Sequence, residues 1–272
     1  MMSISVSLIL ATYEMPEHLR LVLEALKRQS KTNFEILLCD DGSSESTRSV
    51  IAEFQNFSLL PLHHFWQENK GFRKCRILNE AIRASNGELL VFLDADCIPH
   101  KDFIRDHWEA KEIGRYCAGR RIELSEALSK QINVESVQQG FFNGLSMSLL
   151  MDGIKGRTQR INRILRIKNP LFRKLFGLEK IDDLKGCNFS VFRSDLFLIN
   201  GFDEDYEGYG REDTDVEYRL QNLGLKIKSL KGLALQTHVW HPRRNFTPKN
   251  DDRLEHVKQE KKIRCKNGLV KE

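Results

Sequence analysis

The feature that most constrains the fold is a regular alternation of short apolar runs with amphipathic stretches over residues 3–100. Runs of four to eight apolar residues fit strands, whereas apolar positions three or four residues apart fit helices. The clearest run, Leu89-Leu90-Val91-Phe92-Leu93, is apolar throughout and predicts a central strand covered on both faces. Strands and helices alternating in this way build a mostly parallel sheet flanked by helices. We therefore expect an α/β fold of the Rossmann-like type.

The pattern divides the chain into four parts. Residues 1–125 carry the alternating half. Over 126–183 the periodicity loosens and Gly and Asn interrupt it, so we expect a helical insertion or lid in an otherwise single domain. Regular patterns return over 184–248, including a predicted helix over 214–223. Residues 249–272 are rich in charge, and we expect a solvated tail.

Composition and charge exclude several classes of protein. The 40% hydrophobic and 30% charged content is that of a globular chain, and no run of about 18 apolar residues predicts a membrane-spanning helix. The net charge of +5 comes from Lys155–Lys180, which holds nine basic residues and one acid. The remaining residues carry three more acids than bases, so we expect no nucleic-acid partner.

The six cysteines are scattered, without a C-x-x-C pair or a Cys/His cluster at zinc spacing. This usage favours reduced thiols, so we expect a cytoplasmic location.

Polar residues follow three of the predicted strands: Thr12-Tyr13, Asp40-Asp41 and Asp94-Ala95-Asp96. Ligands of open α/β sheets bind beyond the carboxyl ends of the strands, so these residues are expected to meet at one site. Paired carboxylates suit Mg²⁺ or Mn²⁺ bound together with substrate phosphates. Each motif alone is equally well explained as a polar turn, whereas their combination favours a nucleotide site.

Two further clusters lie in the second half of the chain. Eight of the fifteen residues in Asp203–Glu217 are acidic, and glycines and the aromatic residues Tyr206 and Tyr209 are interleaved with them. This run is either a solvated face that caps a helix or a sugar platform with a carboxylate tuned as a general base. The second cluster, His238-Val239-Trp240-His241, closes a predicted strand and offers imidazole ligands for a metal.

Other familiar chemistries lack their motifs. The sequence has no G-x-G-x-x-G after the first strand, no P-loop and no G-x-S-x-G. A sugar-nucleotide nucleotidyltransferase stays open as an alternative, although the Gly-rich loop with a basic residue expected after the first strand is missing from residues 11–16. A non-catalytic sugar- or membrane-binding module with a structural Ca²⁺ site is the other alternative.

Taken in order, the motifs resemble those of inverting family 2 glycosyltransferases with the GT-A fold. In the first half they are Ser7-Leu8-Ile9-Leu10-Ala11-Thr12-Tyr13, Cys39-Asp40-Asp41-Gly42-Ser43-Ser44, Asn69-Lys70-Gly71-Phe72-Arg73 and Phe92-Leu93-Asp94-Ala95-Asp96. The second half resembles the C-terminal block of β-1,4-galactosyltransferases and chondroitin-polymerase-like enzymes. Its motifs are Gly186-Cys187-Asn188-Phe189-Ser190, Asn200-Gly201-Phe202-Asp203-Glu204 and Tyr209-Gly210-Arg211-Glu212-Asp213.

The resemblance implies that residues 1–125 are the nucleotide-sugar-binding half and residues 184–248 the acceptor and catalytic half. It also implies a role for individual residues. Those that would bind the UDP-sugar are Thr12, Tyr13, Asp40, Asp41, Arg73, Asp94 and Asp96. A Mn²⁺ or Mg²⁺ ion would be held by Asp96 and His238, with His241 as the alternative histidine. Asp213 would be the catalytic base and Glu212 its acceptor-binding partner. The acceptor would also meet Tyr206, Tyr209, Arg211 and Trp240.

The implied activity is the metal-dependent, inverting transfer of a hexose or N-acetylhexosamine from a UDP-sugar to a hydroxyl of a glycan or lipid-linked glycan, as in polysaccharide biosynthesis. Tyr209 stands where galactosyltransferases often carry Trp, so the sugar and the acceptor stay open.

The basic segment 155–180 has no counterpart in the resemblance. Its apolar residues run among the nine basic ones, and Pro170 divides it into two short amphipathic pieces. The segment is either a core-packed lid with a solvated basic face or a peripheral contact with the anionic inner face of a membrane.

Overall fold

A seven-stranded, mostly parallel sheet forms the centre of the structure, a computed structural model that describes residues 4–242 and 245–271. The strands are β1 (Val6–Thr12), β2 (Phe34–Asp40), β3 (Leu62–Trp66), β4 (Leu89–Asp94), β5 (Cys97–Pro99), β6 (Arg115–Ala118), β7 (Arg121–Glu123), β8 (Phe189–Phe192), β9 (Lys226–Ser229) and β10 (Gln236–His238). The main sheet has the order β3-β2-β1-β4-β8-β6-β9, and a smaller sheet has the order β5-β10-β7.

The first four strands of the main sheet form a parallel unit. Strand β1 pairs in parallel with both β2 and β4, and β2 pairs in parallel with β3. Strand β8 runs antiparallel between β4 and β6. β4 is thus flanked on both sides, and residues 89–93 are all buried, which confirms the prediction of a central strand.

Helices connect and cover the strands. They are α1 (Pro16–Leu26), α2 (Glu45–Phe57), α3 (Lys74–Ala84), α4 (Phe103–Ala110), α5 (Glu126–Ser129), α6 (Val134–Gln138), α7 (Met147–Ile154), α8 (Pro170–Leu175), α9 (Arg193–Leu198), α10 (Glu212–Asn222) and α11 (Lys249–Gln259), with 3₁₀ turns at Phe141–Asn143 and Ile161–Ile164. None of the helices in the described ranges is long and apolar enough to cross a lipid bilayer.

The hydrophobic core lies on both faces of the main sheet. Neighbouring residues of a strand point to opposite faces, so Leu8 and Leu10 of β1 belong to one buried cluster and Ile9 to the other. Burial on both faces explains why the central strands are apolar at every position. The α/β fold with a mostly parallel sheet and flanking helices is confirmed.

Residues 126–183 contain four short helices, α5 to α8, and two 3₁₀ turns, joined by irregular segments. Two basic residues of this stretch point inward rather than to solvent. Arg166 forms ion pairs with Asp102 and Asp106, and Arg173 donates hydrogen bonds to the carbonyls of Ser229 and Lys231. For these two residues the prediction of a solvated basic face is wrong, because their guanidinium groups satisfy buried acceptors.

The prediction of a solvated tail over 249–272 is also wrong in the part that the structure describes. Helix α11 buries Leu254 and Val257, and Leu269 lies in the core beyond it. The side chain of Asn200 fastens this segment, since it donates to the carbonyls of Cys265 and Val270 at 2.9 and 2.8 Å. A few apolar positions among many charges are enough to dock the segment.

Candidate active site

A cavity of about 800 Å³ opens at the carboxyl ends of β1, β2 and β4. The sequence predicted a site at this edge of the sheet. Residues of the second half also line the cavity, including Glu212 at the start of α10 and His238 at the end of β10. The site is therefore assembled from both halves of the chain.

Thr12 and Tyr13 form one wall of the cavity directly after β1. The Thr12 side chain is buried, and its hydroxyl has no hydrogen-bond partner among the described residues. Buried hydroxyls are nearly always paired, so this one is suited to bind a ligand. The Tyr13 hydroxyl accepts a hydrogen bond from the Asn69 amide at 2.9 Å, which fixes the ring beside the cavity.

Asp41 lines the cavity after β2, and its carboxylate is held in place by the backbone N–H of Arg73 at 2.9 Å and by the Gln67 amide. The turn that follows requires glycine. Gly42 has a φ of +93°, and a Cβ there would lie 2.6 Å from the backbone nitrogen of Asn69. The Asp41-Gly42 turn therefore packs tightly against the loop that contains Asn69.

Asp96, His238 and His241 converge at the edge of the cavity. The Asp96 Oδ2 lies 3.0 Å from His241 Nε2 and 3.5 Å from His238 Nε2, and the two imidazole nitrogens are 3.2 Å apart. Burial alone would raise the pKa of Asp96, but the hydrogen bonds to His238 and His241 outweigh it and hold that pKa well below its usual range. One carboxylate and two imidazoles are a donor set that fits Mn²⁺.

The pairing of the strands explains this convergence. His238 of β10 lies opposite Cys97 of β5, the residue that follows Asp96. The sequence analysis left His238 and His241 as alternatives, whereas the structure places both beside the same carboxylate oxygen.

Lys74, which the sequence analysis did not single out, lies at the centre of the site. Its ammonium contacts Asp94 at 2.7 Å and lines the cavity with it. Burial alone would lower the pKa of Lys74, but the charges of Asp94 and Glu212 raise it above its usual value. Lys74 therefore brings a positive charge to the cavity, in direct contact with the predicted site residue Asp94.

Glu212 and Asp213 are adjacent acids at the first turn of α10. Glu212 lines the large cavity, and burial together with the charge of Asp213 raises the pKa of Glu212 to about 7. Asp213 lies behind it, beside a small neighbouring cavity. Its carboxylate accepts hydrogen bonds from the N–H groups of Gly186 at 2.9 Å and Thr214 at 2.8 Å.

Arg121 is a second cavity residue that the motifs did not indicate. It extends from β7, and its Nη1 contacts the thiols of Cys97 and Cys187 at 3.7 and 3.5 Å. It brings a second positive charge to the same cavity as Asp94 and Asp96, which suits an anionic ligand.

Tyr209 and Trp240 line the cavity with 44% and 40% of their side chains exposed. The edge of Phe72 packs against Tyr209 at a ring-centroid distance of 6.0 Å. Supported aromatic faces of this kind are available for a sugar ring to stack on.

Five of the predicted site residues lie outside the large cavity: Asp40, Arg73, Tyr206, Arg211 and Asp213, the last of which lines the small neighbouring cavity. Asp40 is fully buried, where its carboxylate accepts a hydrogen bond from the Ser43 N–H at 2.8 Å and contacts His64 at 3.1 Å. Tyr206 is 1% exposed and belongs to the core. Both side chains therefore support the fold around the cavity.

The two arginines are engaged elsewhere. Arg73 donates to the carbonyl of Glu68, and its contribution near the cavity is the backbone N–H that holds Asp41. Arg211 pairs with Asp251 at 2.6 Å and stacks on the Phe246 ring.

Much of the acidic run 203–217 is structural. Asp215 forms an ion pair with Arg219 at 2.5 Å, and both side chains are fully buried. Glu217 accepts a hydrogen bond from the Leu184 N–H at 3.0 Å. The interpretation of the run as a solvated face is wrong for these residues, and in the same run only the first turn of α10 brings an acid into the large cavity.

Comparison with known proteins assigns this architecture to a family. Residues 7–169, more than half of the chain, match the model of glycosyl transferase family 2. Residues 173–242 match the model described as the N-terminal domain of galactosyltransferase. The two matched regions together contain both halves of the cavity.

Among curated proteins, the chain is 24% identical over 243 residues to a chondroitin synthase of Escherichia coli, covering 87% of this chain and 35% of the relative. It is 29% identical over 265 residues to an uncharacterized glycosyltransferase of Bacillus subtilis, covering 87% and 65%. A hyaluronan synthase of Pasteurella multocida is 24% identical over 246 residues, covering 85% and 24%. The chain thus spans less than two thirds of the length of these relatives.

Among solved structures, a mannosyltransferase from Pyrobaculum calidifontis in complex with GDP-Man and Mn²⁺ has a TM-score of 0.59 at 17% identity, covering 89% of this chain and 58% of that one. The S. aureus protein TarS (residues 1–349) in complex with UDP-GlcNAc has a TM-score of 0.59 at 14% identity, covering 94% and 66%. These likenesses confirm the predicted GT-A fold. The match over residues 7–169 shows that the chain belongs to glycosyl transferase family 2 and is a glycosyltransferase.

Proposed function

We propose that the protein transfers a hexose or N-acetylhexosamine from a UDP-sugar to a hydroxyl of a glycan or lipid-linked glycan, with inversion and with a divalent metal. The observation that carries the proposal is that one cavity unites the unpaired Thr12 hydroxyl, the Asp96 cluster and Glu212. The names of the relatives, chondroitin synthase and hyaluronan synthase, and the complex of TarS with UDP-GlcNAc support this choice of donor and acceptor.

On the donor side, Thr12, Tyr13 and Asp41 would bind the uracil and ribose, since they line the cavity at the ends of β1 and β2. Asp94 would meet the ribose or the transferred sugar. Lys74 holds Asp94 at 2.7 Å and so fixes its orientation.

The residues that would hold a divalent ion are Asp96, His238 and His241, whose ligand atoms all lie within 4.8 Å of one another. When bound there, such an ion acts as a Lewis acid on the diphosphate of the donor. Arg121, which lines the same cavity, supplies a fixed positive charge near the leaving UDP.

In the transfer step, the oxygen of the acceptor hydroxyl forms a bond to the anomeric carbon from the face opposite UDP. The bond between that carbon and the UDP oxygen breaks, and its electron pair leaves with UDP. A carboxylate takes the proton of the hydroxyl. We assign this role to Asp213, which two N–H groups hold in a fixed orientation, and assign binding of the acceptor hydroxyl to Glu212.

Electrostatics supports this assignment of roles to Glu212 and Asp213. With a pKa of about 7, Glu212 holds a proton in part of the molecules at neutral pH, so it can donate a hydrogen bond to an acceptor oxygen. The negative charge of Asp213 contributes to that raised pKa. Glu212 would therefore act as the hydrogen-bond donor and Asp213 as the base. Tyr209 and Trp240 would stack on the acceptor sugar.

The test compares Asp213→Asn with Glu212→Gln in transfer assays with Mn²⁺ and UDP-GlcNAc, UDP-GalNAc, UDP-glucose or UDP-glucuronic acid. We expect Asp213→Asn to bind UDP normally and to lose about 100-fold or more in kcat. Glu207→Gln, an exposed acid of the same run, is the matched control and should keep wild-type kcat. Wild-type kcat in Asp213→Asn with a large loss in Glu212→Gln would assign the base to Glu212.

Three outcomes would contradict the proposal as a whole. Turnover with GDP-mannose but with none of the UDP-sugars would reject the donor. Release of pyrophosphate from UTP and a sugar 1-phosphate, without transfer to any hydroxyl, would favour a nucleotidyltransferase. Calcium-dependent sugar binding without turnover would favour a binding module.

A further inference from the structure

Helix α8 presents an apolar face to solvent. Leu171, Phe172, Leu175 and Phe176 are 77%, 54%, 74% and 62% exposed. At about 100° per residue these four positions fall within an arc of about 140°, which is the width of the buried face of an ordinary amphipathic helix. We call them the α8 apolar face. Contiguous exposed apolar side chains of this size are uncommon on a protein surface without a partner.

The opposite side of the helix is fastened to the protein. The Arg173 side chain is buried and donates to the carbonyls of Ser229 and Lys231 at 2.9 and 2.5 Å. At the start of the helix, the Asn169 side chain accepts from the N–H groups of Leu171 and Phe172. The outward orientation of the α8 apolar face is thus fixed by polar contacts on the other side.

Basic residues flank the α8 apolar face along the chain. Lys168, Lys174 and Lys180 are exposed and form no ion pair with any residue that the structure describes, and Glu179 is the single acid among residues 155–180. Arg166 and Arg173 of the same segment are not part of this charge, because their guanidinium groups bind inside the protein.

We propose that the α8 apolar face docks on an anionic lipid surface, with Lys168, Lys174 and Lys180 at the headgroups. A lipid surface offers apolar depth and negative charge together, which are the two properties that this face complements. A second copy of the chain fits less well, because pairing two α8 apolar faces would bring the lysines of both copies together.

The test is sedimentation with vesicles of phosphatidylcholine alone or with about 30% phosphatidylglycerol, at about 50 mM and about 500 mM NaCl. We expect the protein to sediment with the anionic vesicles at low salt and to be released at high salt. Two variants separate the electrostatic contribution to vesicle binding from the apolar contribution. Lys168→Glu/Lys174→Glu/Lys180→Glu should lose at least about tenfold in apparent affinity. Phe172→Ser/Phe176→Ser keeps the lysines but should lose binding to the anionic vesicles at the low salt concentration.

The matched control is Phe57→Ser/Ile113→Ser, which removes two exposed apolar side chains elsewhere, at 81% and 92% exposure. It should sediment like the wild type. Far-UV circular dichroism and transfer activity in solution check that each variant is folded. Absence of sedimentation with anionic vesicles, equal sedimentation with neutral ones, or equal losses in the control would overturn the proposal. So would a concentration-dependent dimer in light scattering that Phe172→Ser/Phe176→Ser abolishes.

Discussion

Glu212→Gln should make the protein more stable while it impairs transfer. Burial and the charge of Asp213 raise the pKa of Glu212 to about 7 from an ordinary 4.5. A carboxyl with a raised pKa in the folded state favours folding while it is protonated and opposes folding once it ionises. Its contribution to stability is therefore complete below about pH 4.5 and is lost as the pH rises through about 7.

The size of the effect follows from the pKa difference. One pKa unit corresponds to about 1.4 kcal/mol, so ionising Glu212 costs the fold about 3 kcal/mol well above pH 7. At about pH 5 the ionisation of Glu212 costs the folded state about 1 kcal/mol or less. Gln has the shape of Glu and keeps an oxygen to accept the Gly210 N–H, which lies 3.0 Å from the carboxylate. The ion pair of Lys74 with Asp94 is also retained.

The measurement is urea unfolding of wild type and Glu212→Gln at about pH 8 and about pH 5, with slopes compared to confirm a common unfolding transition. We expect Glu212→Gln to be more stable by about 3 kcal/mol at the higher pH, with the gain shrinking toward the lower pH. The exposed acid in Glu207→Gln should change stability little at either pH. A Glu212→Gln protein that is less stable than wild type at pH 8, or a difference independent of pH, would refute the reasoning.

Three further predictions concern charged groups. Asp96→Ala should remove Mn²⁺ binding, measured by calorimetry, and metal-dependent transfer, whereas His63→Ala, which changes an exposed histidine on β3, should affect neither. Asp215→Asn leaves the fully buried Arg219 charge without its partner and should lower the free energy of unfolding in urea by about 3 kcal/mol or more. Lys74→Met should raise the KM for the donor, because Asp94 loses the contact that orients it; an unchanged KM would separate Lys74 from donor binding.

The framework of the site was predictable because its signals are local. A buried strand followed by an acid is visible in residues 89–96, and parallel strands necessarily end at the same edge of a sheet. Local sequence does not show which of two neighbouring acids faces the cavity. Asp40 and Asp41 are adjacent in sequence, yet the first is buried beneath the turn and the second faces the cavity.

Lys74 and Arg121 could not be predicted for a related reason. A lysine at the start of a helix or an arginine in a short strand gives no periodic signal, and only tertiary packing brings either one to the carboxylates. Tyr206 shows the converse error. An aromatic residue among glycines and acids suggested a platform for a sugar ring, but the Tyr206 side chain is buried in the hydrophobic core. The docking of α11 was missed because Leu254 and Val257 are isolated among charges.

The antiparallel pairing of β4 with β8 has a consequence for how the enzyme acquires its activity. It joins residues 89–92 to residues 189–192, about a hundred positions later in the chain, whereas Val6 of β1 pairs with Phe34 of β2 and Ile36 of β2 pairs with Leu62 of β3, at much shorter separations. Closing long loops is slow, so we expect β1, β2 and β3 to pair before residues 184–248 have docked on the sheet. His238 and Glu212 arrive only in that later step. Under the proposed function, a newly made chain would then pass through a stage in which the strand ends that carry Thr12 and Asp41 are in place before Glu212 and His238 complete the cavity.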